Sequence, residues 1–197
     1  MTPERLREIY GPPSVRAVAK VIDHLDHHAR AFIAASPFAV LATSDGTSLD
    51  VSPKGDPAGF VAIEDDHTLI LPDRPGNRRI DGLLNILANP AVSMLFLIPT
   101  VAETMRITGT ATIHDDPEIC AAHAIKGRVP LTVTRIRVDQ VFSHCGKAPI
   151  RGGLWRPDTW PEKRPVATLG QIVKDHAAMD MDTSQAAADK LYRETLY

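Results

Sequence analysis

Short apolar segments separated by turn residues fill the middle of the chain, and they constrain the fold more than any other feature. Phe38–Thr43 and Leu49–Ser52 flank a turn of Ser, Asp, Gly and Thr, which predicts a hairpin. Phe60–Glu64 and Thr68–Leu71 flank a pair of aspartates and predict a second hairpin. No repeated strand–helix–strand alternation is present. The pattern favours an antiparallel sheet over a doubly wound parallel one.

Three longer strands are predicted after these hairpins. Ala91–Ile98 is a continuous apolar run, Glu103–Ile113 alternates between apolar and polar residues, and Leu131–Phe142 is the longest. Short helices are predicted from Gly82 to Leu87 and near Ile119–Ile125. The fold class is therefore mainly β (α+β), an antiparallel barrel with helices at its ends.

The two ends of the chain predict helices that flank this barrel. Residues 1–35 are predicted to be helical. Within them Ser14 can cap a segment that has apolar residues at helical spacing and ends before Pro37. A last helix is predicted from Thr183 to Leu196. The predicted organisation is a helical segment at 1–35, a barrel at 36–156 and a C-terminal extension with a helix at 157–197.

Composition excludes several classes of protein. The 197 residues are 44% hydrophobic and 23% charged with a net charge of -2, so nothing favours bulk attraction to nucleic acid or an anionic membrane. The two cysteines form no CxxC pair, which argues against a disulfide-stapled secreted domain. No apolar run reaches the ~20 residues of a membrane span, and the N-terminus does not resemble a signal peptide. We expect a cytoplasmic protein.

A basic turn at Leu71–Ile80 is the most informative segment. It contains three arginines and an asparagine, between a predicted strand and a predicted helix. Free amides at the start of a helix attract an anion, and adjacent guanidinium groups would add to that attraction. The turn therefore predicts a phosphate site at Arg78 and Arg79. The alternative is a solvated basic turn that forms only surface salt bridges.

Two further segments carry polar groups that suit a planar ligand. Val51–Phe60 places Ser52 and Lys54 at a strand end, although a simple hairpin loop explains them equally well. His144–Trp155 combines Lys147, Arg151 and the aromatic Trp155. The alternative for this second segment is a nucleophilic Cys145 beside His144.

A histidine cluster offers a metal-site alternative. His24, His27 and His28 have spacing that would place them on one face of the predicted N-terminal helix. A solvated polar face is the simpler interpretation, so no metal is expected. The sequence contains no GxGxxG, P-loop, HExxH or GxSxG motif.

The order of these segments resembles a known family. The hairpin ending in Val51-Ser-Pro-Lys-Gly-Asp56, the strand end Leu71-Pro-Asp-Arg74, the basic Gly-Asn-Arg-Arg turn and the following Asn89-Pro90 are similar to the pyridoxamine 5'-phosphate oxidase-like FMN-binding proteins. The likeness covers roughly residues 36–156. It implies a split β-barrel, a homodimer, and FMN bound between the two subunits.

The resemblance also implies roles for individual residues. Arg78 and Arg79 would hold the FMN phosphate with support from Asn77. Ser52, Lys54 and the strand end with Asp73 and Arg74 would lie along the isoalloxazine ring. Thr104, or alternatively Glu103, would place a polar side chain near the ring. The closing residues, Lys147, Arg151 and Trp155, would come from the second subunit. The strand Leu49–Lys54 has no arginine, unlike that of pyridoxamine phosphate oxidases, so pyridoxine chemistry is not expected.

Two functions remain open at the level of sequence. The first is an FMN-dependent oxidoreductase that acts on a small molecule, with a cation such as Lys54 or Arg74 stabilising negative charge on the reduced flavin. The second is a binding protein that carries flavin, haem or deazaflavin without turnover. A nucleic-acid-binding protein is disfavoured by the near-neutral charge and the few aromatic residues.

Overall fold

The computed structural model describes residues 1–197 and contains one seven-stranded antiparallel sheet. The strands are β1 (Phe38–Ser44), β2 (Leu49–Gly55), β3 (Ala62–Ile63), β4 (Thr68–Pro72), β5 (Ala91–Leu97), β6 (Thr104–His114) and β7 (Val133–His144). The helices are α1 (Pro3–Tyr10), α2 (Val15–Ala19), α3 (His27–Ala35), α4 (Asp81–Ala88), α5 (Pro117–Ala122), α6 (Lys147–Arg151), α7 (Leu169–Ala177) and α8 (Gln185–Thr195).

The strands follow the order β2-β1-β5-β6-β7-β4-β3, so β2 and β3 are the free edges of the sheet. Because these edges are not hydrogen-bonded to each other, the barrel is open along one side. The prediction of a mainly β, antiparallel split barrel with terminal helices is confirmed. No helix is long and apolar enough to cross a membrane.

The core lies on one face of the sheet and is closed by α3. Buried residues alternate along β1, β5 and β6, as expected for strands with one covered face. Leu25, Ala29 and Ile33 of the α3 region are almost completely buried and belong to the same cluster of 18 buried residues as Phe96 and Ile107. The inner face of the sheet is therefore mainly apolar.

A bulge in β7 changes which of its residues face outward. The register with β6 shifts between Thr108 and Gly109, where one extra residue of β7 is accommodated. A β-carbon at Gly109 would lie only 1.9 Å from the Arg137 carbonyl oxygen, so the close approach requires glycine. Beyond the bulge Val141 is buried, and Phe142 and His144 face outward beside β6.

The helical pattern predicted to run from Ser14 to just before Pro37 is interrupted in the structure, although Ser14 does cap a helix, α2. The structure has three helices, and the chain between α2 and α3 is extended where Ile22 pairs with Val141 of β7. Pairing with the part of β7 that extends beyond the β4 ladder overrides the helical spacing of the apolar residues. His24 consequently lies outside α3 and does not share a helix face with His27 and His28.

Other elements differ in extent from the predictions. The strand predicted at Phe60–Glu64 contains only the two residues of β3. Helices α6 and α7 were not predicted, and α6 contains both Lys147 and Arg151. The last helix is confirmed as α8, with Ser184 accepting a hydrogen bond from the Ala187 amide.

Candidate functional site

One face of β2 forms the first wall of a candidate groove at the open side of the barrel. Asp50, Ser52 and Lys54 alternate with exposed neighbours and are half-buried. Each pairs with a buried residue of β1, which places all three on the inner face of the sheet. Lys54 makes no hydrogen bond or ion pair within the chain, so its ammonium group is available to a ligand.

The loop from Asp73 to Ile80 forms the second wall. Burial raises the pKa of Asp73 above its ordinary value, against the opposing effect of the Lys54 and Arg74 charges, so the loop starts beside Lys54. At its other end, a hydrogen bond and the charge of Asp81 raise the pKa of Arg79, with a smaller contribution from Asp50. The loop thus follows β2 from Lys54 to Asp50, roughly 13 Å at the rise of a strand.

The Asp50 end of the groove is the start of α4. Ile80 precedes the helix in a left-handed conformation, and no side chain caps the free amides. Arg78 also has a positive φ of 60°, is exposed and has no partner in the chain. Asn77 accepts a hydrogen bond from the Arg79 amide at 3.0 Å, and the Arg79 side chain pairs with Asp81 at 2.7 Å. The backbone and Arg78 can therefore hold an anion.

Helix α4 is fixed against the sheet at this point. Asn85 donates to the Thr43 hydroxyl at 3.1 Å. A β-carbon at Gly82 would lie 3.1 Å from Asp50 Oδ2, so the start of the helix lies directly over the first residues of β2. These contacts set the position of the amides relative to Lys54 at the far end of the groove.

The Lys54 end contains a buried ion pair that the sequence did not reveal. Asp56 has a side chain only 1% exposed, and it accepts a hydrogen bond from Arg74 Nε at 2.6 Å. Arg74 also donates to the His123 carbonyl oxygen at 3.0 Å. Because Asp56 follows β2 and Arg74 follows β4, the pair connects the two sides of the open barrel. Arg74 is therefore committed to the fold, and Lys54 remains as the free cation.

The C-terminal residue completes this network. The Tyr197 hydroxyl donates to the other carboxylate oxygen of Asp56 at 2.6 Å, and Lys126 Nζ lies 4.3 Å from the centre of the Tyr197 ring. The hydrogen bond to Asp56 raises the pKa of Tyr197. Tyr197 and Asp56 are 141 positions apart, so no local sequence pattern predicts their contact. Asp56 itself belongs to the Lys-Gly-Asp motif and could have been predicted as a site residue from the sequence.

The second group of predicted residues lies at the far end of β6 and β7. Thr104 pairs with His144, three residues before Lys147. Trp155 donates from Nε1 to the Val101 carbonyl oxygen at 2.8 Å, which holds the segment after β7 against the loop before β6. The structure thus brings Thr104 near the segment that carries Lys147, Arg151 and Trp155.

The two groups do not converge within one chain. Lys54 faces the inner side of the sheet opposite Ala39, whereas Thr104 precedes the buried Met105 and faces the outer side. Strands β1 and β5 also separate β2 from β6. A single site that contains both groups therefore needs a second copy of the chain.

The geometry gives little support to the two alternatives, a nucleophilic Cys145 and a metal site at the histidine cluster. Cys145 is exposed, and its pKa is lowered by a hydrogen bond from the Lys147 amide and by the Lys147 and Lys20 charges, but it makes no contact with His144 that could activate it. Asp26, His27 and His28 bring their ligating atoms within 4.8 Å of one another. Both histidines are exposed, and one carboxylate oxygen of Asp26 caps α3.

Comparison with known proteins assigns the family. The family model described as Pyridoxamine 5'-phosphate oxidase matches residues 25–145, which is more than half of the chain. The chain belongs to this family, as the resemblance had implied. The matched range includes the groove on β2, the basic turn and the strands β6 and β7. No curated protein matches the sequence.

Several solved structures are similar to this chain. The H111A variant of HupZ from Group A Streptococcus is 24% identical with a TM-score of 0.49, and the match covers 61% of this chain and 99% of that chain. General Stress Protein 26 from Bacillus anthracis is 15% identical with a TM-score of 0.44, over 57% and 88%. An FMN-binding protein from Syntrophomonas wolfei is 12% identical with a TM-score of 0.46, over 59% and 83%.

Proposed function

We propose that this protein binds FMN in the groove between β2 and the loop from Asp73 to Ile80. The observation that carries the proposal is the arrangement of two polar ends along one wall. One end has the uncapped start of α4 with Arg78 and Arg79, and the other has the unpaired Lys54. An elongated ligand with a phosphate at one end and a polar ring at the other suits this arrangement.

The phosphate end has the donors that a dianion requires. Arg78 has no partner in the chain, and Arg79 is held only by the exposed Asp81. A phosphate can bind Arg78 and the free amides directly and can draw Arg79 from a weak surface pair. Asn77 holds the turn through the Arg79 amide and needs no change of position.

The ring end provides the unpaired cation of Lys54 beside Arg74, which is held in place by Asp56. Bound FMN would supply hydride-transfer chemistry, and the chain would position it and adjust its charge. Lys54 would donate to the ring edge, where its positive charge favours the anionic reduced form. Ser52 is two positions along the same face and would donate a second hydrogen bond. Asp73 and Arg74 would shape the rim, with Arg74 held by Asp56.

A homodimer is part of the proposal. The outer face near the free edge of the sheet exposes apolar side chains, with Leu49 at 81% and Val51 at 65% exposure. A second copy that covers this face would bring Thr104, Lys147, Arg151 and Trp155 of one chain to the groove of the other. The proposed activity is an FMN-dependent oxidoreductase that acts on a small molecule.

The first experiment is to purify the full chain, record its absorbance spectrum and identify the cofactor released by heat. We expect a flavin spectrum and FMN at about one per chain. A protein that is colourless and does not bind added FMN would overturn the proposal. Light scattering tests the dimer, and a monomer that still holds FMN would exclude the shared site.

The second experiment separates an enzyme from a carrier. The flavin-loaded protein is mixed with NADH or NADPH without oxygen, and bleaching of the flavin absorbance is followed. Rapid reduction supports the oxidoreductase. The carrier would be favoured if neither NADH nor NADPH reduces the bound flavin and if small reductants reduce it no faster than they reduce free flavin.

A further inference from the structure

A cationic cluster on the outer face of β6 and β7 has no role in the proposed flavin groove. Arg106 pairs with Phe142 in the register of the two strands, and its guanidinium carbon lies 4.1 Å from the centre of the Phe142 ring. Lys20 Nζ lies 5.4 Å from the same ring centre and donates to the Ser143 carbonyl oxygen at 2.5 Å. Two positive groups therefore share one aromatic ring.

Arg106 differs from the other arginines of these strands. Arg135 pairs with Glu64, and Arg137 pairs with Asp139 at 2.8 Å. Arg106 has no carboxylate partner, and its Nε is buried without a hydrogen-bond partner. A buried donor on a charged group is costly when it is unpaired. The cation–π contact offsets part of that cost but uses no N–H group.

The neighbouring groups also lack negative charge. His144 packs beside Phe142, with ring centres 4.8 Å apart, and its pKa is lowered by burial and by the charges of Arg106 and Lys20. Thr104 lies opposite His144 and offers a hydroxyl on the same face. The cluster thus presents a guanidinium, an ammonium and two polar side chains with no acidic group of its own.

We propose that Arg106, Lys20 and Thr104 bind the carboxylate or phosphate group of a small organic anion. This inference rests on the proposed function, because Thr104 is expected to face the flavin ring of the second subunit. The anion would be the charged end of the substrate, held while its uncharged part lies against the ring. Two N–H groups of Arg106 can grip a planar carboxylate or a phosphate, and Lys20 adds a compact positive charge.

The experiment is isothermal titration of the full-length protein, with and without added FMN, using benzoate, phenyl phosphate and benzamide as probes. We expect at least one of the two anions to bind and neutral benzamide not to bind. Tighter binding of benzoate would indicate a carboxylate substrate, and tighter binding of phenyl phosphate would indicate a phosphate substrate. In Arg106→Gln its affinity should fall about 10- to 100-fold, and in the exposed Lys20→Gln about threefold.

Matched variants control for general charge and for folding. Arg135→Gln removes a charge from β7 outside both proposed sites and should leave anion binding unchanged. Lys20 is exposed, so Lys20→Gln gives an answer even if Arg106→Gln unfolds. FMN affinity should change less than about twofold in Arg106→Gln, because its side chain is distant from the phosphate end of the groove and shares no partner with it.

The outcomes separate this inference from the flavin proposal. Anion binding that depends on Arg106 in a protein without flavin affinity supports the anion site and rejects the flavin groove. FMN binding with no response to either anion, in the loaded or the unloaded protein, rejects the anion site alone. Equal anion binding by wild type and Arg106→Gln would also overturn it.

Discussion

The groove along β2 and the outer face of β6 and β7 differ in whether their positively charged side chains have carboxylates beside them. In the groove along β2, Arg74 pairs with Asp56 and Arg79 pairs with Asp81, and Asp73 lies close to Lys54. On the outer face of β6 and β7, Arg106 and Lys20 lie together without a carboxylate. The first region contains carboxylates that offset most of its positive charge, whereas the second contains no carboxylate that offsets its two cations.

The difference follows from what each region must do in the fold. The groove lies at the open side of the barrel, where Asp56 and Arg74 join strands that no backbone hydrogen bond connects. Its charges therefore stabilise the structure before any ligand arrives. The outer face is already fixed by the β6–β7 ladder, so Arg106 contributes nothing to that connection and can serve binding.

The most severe test of the comparison is the removal of the Asp56 carboxylate. Asp56→Ala leaves Arg74 unpaired in a site where its side chain is only 19% exposed. Breaking a buried pair by removing one partner costs about 3 kcal/mol or more, so we expect a loss of that size in the free energy of unfolding. Urea denaturation measures it. Glu8→Ala in the exposed pair with Arg5 is the control and should cause no measurable change.

The second test concerns the phosphate end of the groove. Arg78→Gln with Arg79→Gln should weaken FMN binding about 100-fold, because two charge-assisted contacts are lost while the turn keeps its backbone. Quenching of flavin fluorescence gives the affinity. The matched control is Arg135→Gln with Arg137→Gln on β7, which removes the same charge elsewhere. Equal losses in the two double variants would mean that net charge, and not the turn, binds FMN.

A smaller effect is expected where the C-terminus meets the groove. Tyr197→Phe keeps the ring over Lys126 but removes the hydrogen bond to Asp56. The unfolding midpoint should fall by much less than in Asp56→Ala. Titration of phenol absorbance should also lose its most alkaline component, since the bond to Asp56 raises the pKa of Tyr197 above 10.0. If the phenol lost in Tyr197→Phe titrates at the ordinary value of 10.0, the contact does not form in solution.

The smallest effect is a change in the pH dependence of stability. Burial raises the pKa of Asp73 above its ordinary 3.8, so the folded state holds this proton more tightly than the unfolded state. The resulting stability is complete below 3.8 and is lost as pH rises through the folded pKa. Asp73→Asn should remove that loss and become more stable relative to wild type as pH rises from 3.5 to 6. Denaturant midpoints at several pH values measure it, and parallel curves would contradict it.

Local patterns predicted much of the fold because local physics produced it. Short apolar runs placed β1 and β5, and alternation between apolar and polar residues placed β6. The basic turn before α4 was visible as a cluster of arginines between a strand and a helix. The N-terminal helix failed at Ile22, where pairing with Val141 outweighed the helical period. Helix α6 is a single turn among glycines and a proline, too short for periodicity to reveal.

The sequence by itself determined the antiparallel class, the order of its strands along the chain, the family and the residues of the basic turn. Each depends on neighbours or on spacing within a short segment. Only the tertiary structure decided that Arg74 belongs to Asp56 and Tyr197, and that a bulge turns Phe142 toward Arg106. These contacts join distant positions through the closure and register of the sheet, and no local pattern contains that information.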